Sequence, residues 1–449
     1  MSSTRISLLL LKITTFACYA LPQPKLLNDP PQSIHAILVA GSNGFNNYRH
    51  QADLAHAYHL LIEKGVPADN IVTMMYDDVA LDPRNPNPGE LRNVWNGPDY
   101  RKGLKVDYRT TSVNKYVFQA VLFGDTAITS AFTGSGRVLN STSSDNVFIF
   151  YTDHGAYNVL GMPSGPVMTK SDLLGHIQHA RALGKFHKLS IYIESCESGS
   201  MLSGLENDNF VNGLTASSST EDSYACNCKG SICYADLFSY KWMTSSEHHN
   251  LMQFSVNQQY SDVKKEVRSS TVQMFGSSAV TEELVGYFQG SKPSKDAVSM
   301  AKLANSSEHS DVVSIRDVPI HSLLMRAKDI RGGEHARQAA EELQRALQKR
   351  EGFHIIFDNL LKRLQISIEE LQEEPGLEES LQDNCYETLV LQFDEHCFPL
   401  RDNAFAFGSL RRFRPFCAKA SRNAIQRAID AMRLYCVGNP VVAEVQGVE

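Results

Sequence analysis

No stretch of this sequence stays apolar long enough to span a bilayer. Positive charge is also in short supply: 43 Lys and Arg stand against 50 Asp and Glu, a formal net charge of −7. Nucleic-acid binding calls for an excess of cations, so this balance argues against such a partner. There are no internal repeats and no low-complexity tracts, which sets aside repeat arrays. What is present, at 42% hydrophobic and 21% charged residues, is the composition of an ordinary globular protein. A length of 449 residues allows two domains or one large one.

The N-terminus departs from the rest. Arg5 precedes an apolar run from Ile6 to Leu11, and the small residues Ala17 and Ala20 stand just before Leu21-Pro22. Residues 1–20 are expected to be a secretory signal peptide cut after about Ala20, although Lys12 interrupts its apolar core. Residues 21–34 would then be a short propeptide. Nine cysteines fit an oxidising compartment. Cys18 leaves with the signal; Cys226, Cys228 and Cys233 cluster in one predicted loop; Cys385, Cys397, Cys417 and Cys436 form an even set and suggest two disulfides. Glycosylation sequons at Asn140 and Asn305 agree with secretory transit.

Residues 35–290 alternate strand and helix patterns, which predicts a doubly wound α/β sheet. Strands are expected at 35–41, 71–76, 146–152, 189–194 and 210–216. Helices are expected at 50–64, 113–123 and 171–181, with Ser171 as a candidate N-cap, and another begins at 236–244. Residues 82–103, rich in Pro, Asn and Gly, read as a long surface loop. From 291 to about 318 large apolar residues become sparse, as in a flexible linker, and the linker with its following turn is taken as 291–333. Residues 334–449 carry helical periodicity over 336–349, 353–371, 385–393 and 418–435 and predict an all-helical domain. Arg401, Arg411, Arg412, Arg414, Lys419, Arg422, Arg427 and Arg433 face only Asp402 and Asp430 over one stretch of it. Such a run is ordinarily a solvated face, and alternatively a surface that docks on the acidic region before it.

The chemistry gathers at two strand ends. One strand runs from Asn146 through Thr152 into Asp153-His154-Gly155, and the next climbs from Leu189 into Glu194-Ser195-Cys196-Glu197-Ser198-Gly199-Ser200. A helix lies between them, so the crossover makes the strands parallel and their C-terminal ends share a rim. Singly, a Cys at a strand end is a small buried apolar residue and a His after a strand is a hydrogen-bonded loop residue. Together on one rim they are the thiol nucleophile and base of covalent catalysis.

Three further stretches join these two in carrying a resemblance. Ala40-Gly41-Ser42-Asn43-Gly44, Asn47-Tyr48-Arg49-His50-Gln51-Ala52-Asp53, Met74-Met75-Tyr76-Asp77-Asp78, Thr152-Asp153-His154-Gly155 and the Glu194 to Ser200 run resemble the legumains, asparaginyl endopeptidases or vacuolar processing enzymes. The resemblance covers nearly the whole chain. It implies a caspase-like, mostly parallel sheet flanked by helices, followed by a helical C-terminal prodomain. It further implies that Cys196 is the nucleophile, His154 the general base, Asn47 the residue orienting the imidazole, and the N–H groups of Gly155 and Cys196 the oxyanion hole. Arg49, Glu194 and Asp236, with His50, would bind the substrate. An Asn side chain offers one acceptor and a two-proton donor, which one arginine and two carboxylates can match. An Asp side chain would add a third carboxylate and should enter only in acid.

The same resemblance pairs Cys385 with Cys417 and Cys397 with Cys436. Cys228 with Cys233 is the expected third pair, leaving Cys226 free. The family's activation cut follows an asparagine near the start of the helical tail. Here the sequence is Met325-Arg326-Ala327-Lys328-Asp329-Ile330-Arg331-Gly332-Gly333, without one, so self-cleavage after Asp329 is the expected substitute, with a cut by a second protease as the alternative. Ser195 stands where legumains often carry alanine. The implied partners are protein and peptide substrates, the chain's own prodomain as inhibitor and cystatin-type inhibitors. The implied setting is the secretory pathway to a lysosome or vacuole, or secretion. No metal or cofactor is expected. The prodomain's basic residues should hold catalytic carboxylates, including those flanking Cys196, by an attraction that weakens in acid. Three alternatives stand beside hydrolysis: a ligase using the same thioester, the related GPI transamidase subunit, which usually carries a C-terminal membrane segment that this sequence lacks, and a catalytically inactive scaffold.

Overall fold

The computed structural model describes residues 30–293, 312–329, 333–369 and 379–446. The expected signal peptide, residues 21–29 of the expected propeptide, the sequon at Asn305 and linker residues 294–311 and 330–332 lie outside them, and Ile34, expected as the propeptide's end, begins the first strand. The main sheet has six strands in the order β11-β8-β7-β3-β1-β2. These are β1 (Ile34–Ala40), β2 (Ile71–Met74), β3 (Asn146–Thr152), β7 (Lys188–Glu194), β8 (Val211–Thr215) and β11 (Gln273–Phe275). All pairings are parallel except that of β11 with β8. β1, β3 and β7 are buried along nearly their whole length, and their continuous β-branched and aromatic character follows from being covered on both faces.

Alternate residues separate cleanly into two cores. Leu38, Phe148, Phe150 and Tyr192 pack with Leu54, Leu61 and Trp242 from helices Tyr48–Glu63 and Leu237–His248. Val39, Ile149, Ile191 and Ile193 pack on the other side with Phe118, Val121 and Leu173 from helices Lys115–Phe123 and Lys170–Ala182. The register aligns Ala40 with Thr152 and Thr152 with Glu194, so three strands end level on one rim.

Four details depart from the sequence expectation. Thr169, not Ser171, caps the helix Lys170–Ala182, because Thr169 and Asp172 form a reciprocal capping box that Ser171 has no partner to match. Small strands β4 (Gly155–Ala156), β5 (Val159–Leu160) and β6 (Met168–Thr169) follow His154, too short to show periodicity. The cysteine cluster is not a loop but a hairpin of β9 (Tyr224–Lys229) and β10 (Ile232–Asp236), with Gly230 at φ 61° in its turn. The end of the presumed linker is ordered: β12 (Val313–Ser314) adds antiparallel to β9, and helix Val318–Ala327 follows.

Beyond residue 333, one helix, Glu334–Glu369, replaces the two expected. Gly352 sits within it where Val445 crosses, since a Cβ there would lie 2.7 Å from Val445 Cγ1. Helices Glu379–His396 and Arg422–Cys436 pack with it around Phe353, Phe357, Leu389, Phe393, Phe413 and Met432. Disulfides join Cys385 to Cys417 and Cys397 to Cys436, and a third joins Cys228 to Cys233. Cys196 and Cys226 are free. Among the described residues, no helix is long and apolar enough to cross a membrane.

Candidate active site

His154 and Cys196 each stand two residues past their strand, on the level rim. The His154 imidazole contacts Asn47 Oδ1 through Nε2 at 2.7 Å, while its Nδ1 has no hydrogen-bond partner. Asn47 is in turn held by donating to Asn43 O at 2.9 Å. That commitment explains why Asn47, although at the N-cap of helix Tyr48–Glu63, makes no side-chain cap. Gly44 N–H and Gln51 Nε2 both donate to Asp78, pinning this loop to the neighbouring strand's end. A Cβ on Gly155 would come within 2.8 Å of Cys196 O and 2.7 Å of Ser195 Oγ, so only glycine lets the two strand ends approach. Cys196 Sγ accepts from Ser223 N–H at 3.3 Å.

Both groups are buried in this form. Burial, reinforced by the charges of Arg49, Arg316 and Arg350, holds His154 well below its ordinary value. Burial pushes Cys196 up to about 12, against the pull of Arg316. The pair therefore rests as neutral thiol and neutral imidazole under its cover. Phe407 from the helical region stacks toward His154 at 6.5 Å between rings.

Arg49, His50, Glu194 and Asp236 converge, all fully buried. Arg49 Nε donates to Asp236 Oδ1 at 2.8 Å, and Nη1 donates to Asn46 O. Glu194 Oε2 accepts from Ser239 N–H and Oγ at 2.9 and 3.0 Å. His50 Nδ1 meets Ser42 Oγ at 2.5 Å, and its Nε2 lies 3.3 Å from Asp236 Oδ2. Four atoms are left without hydrogen-bond partners: Arg49 Nη2, His50 Nε2, Glu194 Oε1 and Asp236 Oδ2. Burial, with the Asp236 charge added, raises Glu194 to about 8. Asp236 is also raised, its burial outweighing the Arg49 charge and hydrogen bond.

Sequence reasoning assigned no role to what stands behind this pocket. Asp53 Oδ2 accepts from Asp236 N–H at 3.0 Å, and Asp53 Oδ1 accepts from Asn93 Nδ2 at 2.6 Å. Asn93 and Glu247 bracket His56 at 2.9 and 2.7 Å. The i, i+4 spacing of Arg49 and Asp53 on one helix was a usable signal; the partners 40 to 190 residues away were not.

Segment 312–317 crosses the site. Arg316 Nε donates to Asp222 Oδ1 at 2.7 Å and Arg316 Nη2 to Glu197 Oε1 at 3.0 Å. Arg411 lies 3.2 Å from Glu197 Oε2. Of the basic run, Arg411 and Arg414 reach the sheet region, the latter 4.0 Å from the Tyr157 ring centroid, whereas Arg412 pairs with Asp358 and Arg433 with Gln392 inside the helical region. Acidic groups of the helical region also cross over: Glu387 accepts from Ser171 N–H and Asp394 from Val167 N–H. Asp329 is exposed just past helix Val318–Ala327, and Asn140 is exposed. Among the described residues, two clusters have ligand-like proximity for a metal: Cys228, Cys233 and His321, whose cysteines are joined as a disulfide, and His50, Asp153 and His154 of the site itself.

The peptidase C13 family model matches residues 34–291. The chain is 36% identical to the hemoglobinase of Schistosoma japonicum over 86% of this chain and 89% of that protein. It is 35% identical to legumain of Homo sapiens, over 86% and 90%. It is 34% identical to the vacuolar-processing enzyme beta-isozyme of Arabidopsis thaliana, over 85% and 82%. Among solved structures, caspase-1 of Spodoptera frugiperda gives a TM-score of 0.35 at 7% identity, over 59% of this chain and 92% of that one.

Proposed function

This chain belongs to the peptidase C13 family and is a cysteine endopeptidase; on that premise we propose that it cleaves peptide bonds after asparagine, and after aspartate when acid supplies protons. One observation carries the specificity. Beside His50 Nε2, which lies 3.3 Å from Asp236 Oδ2, the unpartnered atoms of the buried pocket are one guanidinium donor and two carboxyl oxygens, the complement of a carboxamide. A substrate Asn would take Arg49 Nη2 on its carbonyl and give its two amide protons to Glu194 and Asp236. With Glu194 raised to about 8 and so protonated in acid, an ionised Asp would still meet the Asp236 charge, and repulsion delays its entry until a further proton is added.

In the proposed reaction His154 takes the Cys196 proton as sulfur attacks the scissile carbonyl carbon. Asn47 fixes the ring. The N–H groups of Gly155 and Cys196 hold the oxyanion as charge develops. His154 returns its proton to the leaving amine, and water then cleaves the thioester, releasing the new carboxyl end and restoring the thiol. Peptides carrying Asn, Asp and Arg, incubated across acidic pH with products read by mass, test this. Cleavage after Arg, or none after Asn, overturns it.

The helical region with segment 312–317 acts in this reading as the inhibitor of a zymogen. Its support is the burial of Cys196 and His154 beneath Ile315, Arg316 and Phe407. Charge loss in acid has mixed signs here. Asp222 is only partly buried, and the Arg316 charge and hydrogen bonds outweigh that burial and hold it below its ordinary value, so its contribution to docking is present above about pH 4 and lost as pH falls through the depressed value. Glu197, Glu387 and Asp394 are raised by burial, so their charged forms oppose docking at neutral pH and their protonation favours it in acid. Acid therefore activates chiefly by admitting Asp to the pocket, with the exposed Asp329 as the cut. A vacuolar or lysosomal setting fits that need for acid and the name of the Arabidopsis relative.

A further inference from the structure

Glu197 and Asp222 are a second charged site beside the nucleophile. Glu197 follows Cys196 directly and holds a left-handed backbone, φ 54°, a strain that non-glycine residues keep where the surrounding structure enforces it. Its side chain is 7% exposed. Asp222 precedes Ser223, whose N–H reaches Cys196 Sγ. Every ion pair these two carboxylates make among the described residues comes from beyond residue 291: Arg316 to both, and Arg411 to Glu197. The sheet region gives them no cation of its own, and once the cover departs two adjacent acids face the substrate channel.

The way Arg316 arrives shows what the site accepts. Val313 pairs with Ala225 and Ser314 with Tyr224, antiparallel, and Ile315 N–H donates to Ser223 O at 3.1 Å. Two extended residues, Val313 and Ser314, thus add to the open edge of β9, a recurring mode of peptide recognition, before the segment enters a short 3-10 turn, Ile315–Asp317. Ile315 stands opposite the residue that contacts the nucleophile, and Arg316 is one residue farther on within that turn. A substrate that pairs and then bends as this segment does, with its scissile residue in the place of Ile315, would present the first residue of its leaving group to Glu197 and Asp222.

We propose that Glu197 and Asp222 form a specificity site for a basic side chain, arginine before lysine, at the substrate position immediately after the scissile residue. The inference rests on the endopeptidase reading above. Arginine is favoured because its planar fork can serve two carboxylates from one stem, as Arg316 Nε and Nη2 do. Lysine offers only a point charge.

The test uses the full chain after proteolytic activation and peptides containing one Asn, with Arg moved through three positions on either side and replaced by Lys, Gln or Glu. The expected result is a kcat/KM about tenfold higher for Arg than Gln at the position after Asn, as a charge-assisted hydrogen bond supports. Glu should be poorest there, and Arg should give no comparable gain elsewhere. Glu197→Gln and Asp222→Asn should each shrink the Arg-to-Gln ratio within the same enzyme, a ratio indifferent to overall loss of activity or yield. A flat series with Asn cleavage intact overturns this site and leaves the asparagine reading standing. A gain at another position, or ratios unchanged in both variants, also overturns it. Absence of any cleavage after Asn overturns the underlying reading and this inference together.

Discussion

Two arginines in this molecule each meet carboxylates within reach of Cys196, and they do so in opposite ways. Arg49 belongs to the same sheet region as Glu194 and Asp236, is fully buried with them, and leaves one donor and two acceptors unpartnered. Arg316 comes from the segment ahead of the helical region and engages Glu197 and Asp222 directly. The first arrangement is built to stay and to receive a side chain. The second is built from acids whose cation can leave. Permanence or departure of the guanidinium separates a specificity pocket from a latch, although the same side-chain types make both.

The hardest test of the contrast removes what the two sites serve. Cys196→Ala and His154→Ala should each lower turnover by several powers of ten with Asn peptides, because neither the thioester nor thiolate formation survives. Near-normal turnover by purified Cys196→Ala would refute the assignment. Next, Arg49→Lys keeps charge but loses the fork, and kcat/KM for Asn peptides should fall about a hundredfold, on the order of 3 kcal/mol, as a buried polar partner goes unmatched. Selectivity among residues after the Asn should hold in that variant; loss of both together would merge the sites.

Arg316→Ala should act on latency and spare the pocket. In a Cys196→Ala background nicked between the regions, it should weaken retention of the helical region at neutral pH by about 2 kcal/mol, since two carboxylates are left without their main cation and Asp222 is already partly solvated. Unchanged affinity by calorimetry would show that apolar packing alone holds the cover. The smallest effect concerns pH. Asp222→Asn should flatten the part of docking lost below about pH 4, by roughly 1 kcal/mol or less, because the variant has no charge to lose. A pH profile identical to that of the parent would remove Asp222 from the latch.

Much of this was legible in the sequence where periodicity is strong. The strands ending at His154 and Cys196 announce themselves by unbroken apolar runs, since a sheet covered on both faces needs them. Their shared rim followed from the crossover rule. The convergence of Arg49, Glu194 and Asp236 was not readable from spacing, as these residues lie on a helix, a strand and a hairpin, and it entered through resemblance. Segment 312–317 was read as linker because it is too short and too polar to bury much by itself. Its order comes from β9 and from Arg316, both long-range. The basic run drew attention by density, yet Arg411 did more for the site than Arg412 or Arg433, because placement in the fold decides which charges meet.

The pairing of β12 with β9 also has a consequence for solubility. While segment 312–317 is in place, part of the β9 edge has its backbone groups paired. When that segment, still joined to the sheet region after a cut at Asp329, lifts off, the edge carries open N–H and C=O groups, the kind of template on which extended chains of any origin assemble. The mature enzyme is therefore the form that needs an occupant on this edge, and self-association after activation should be slowed by a short, non-cleavable peptide laid along it.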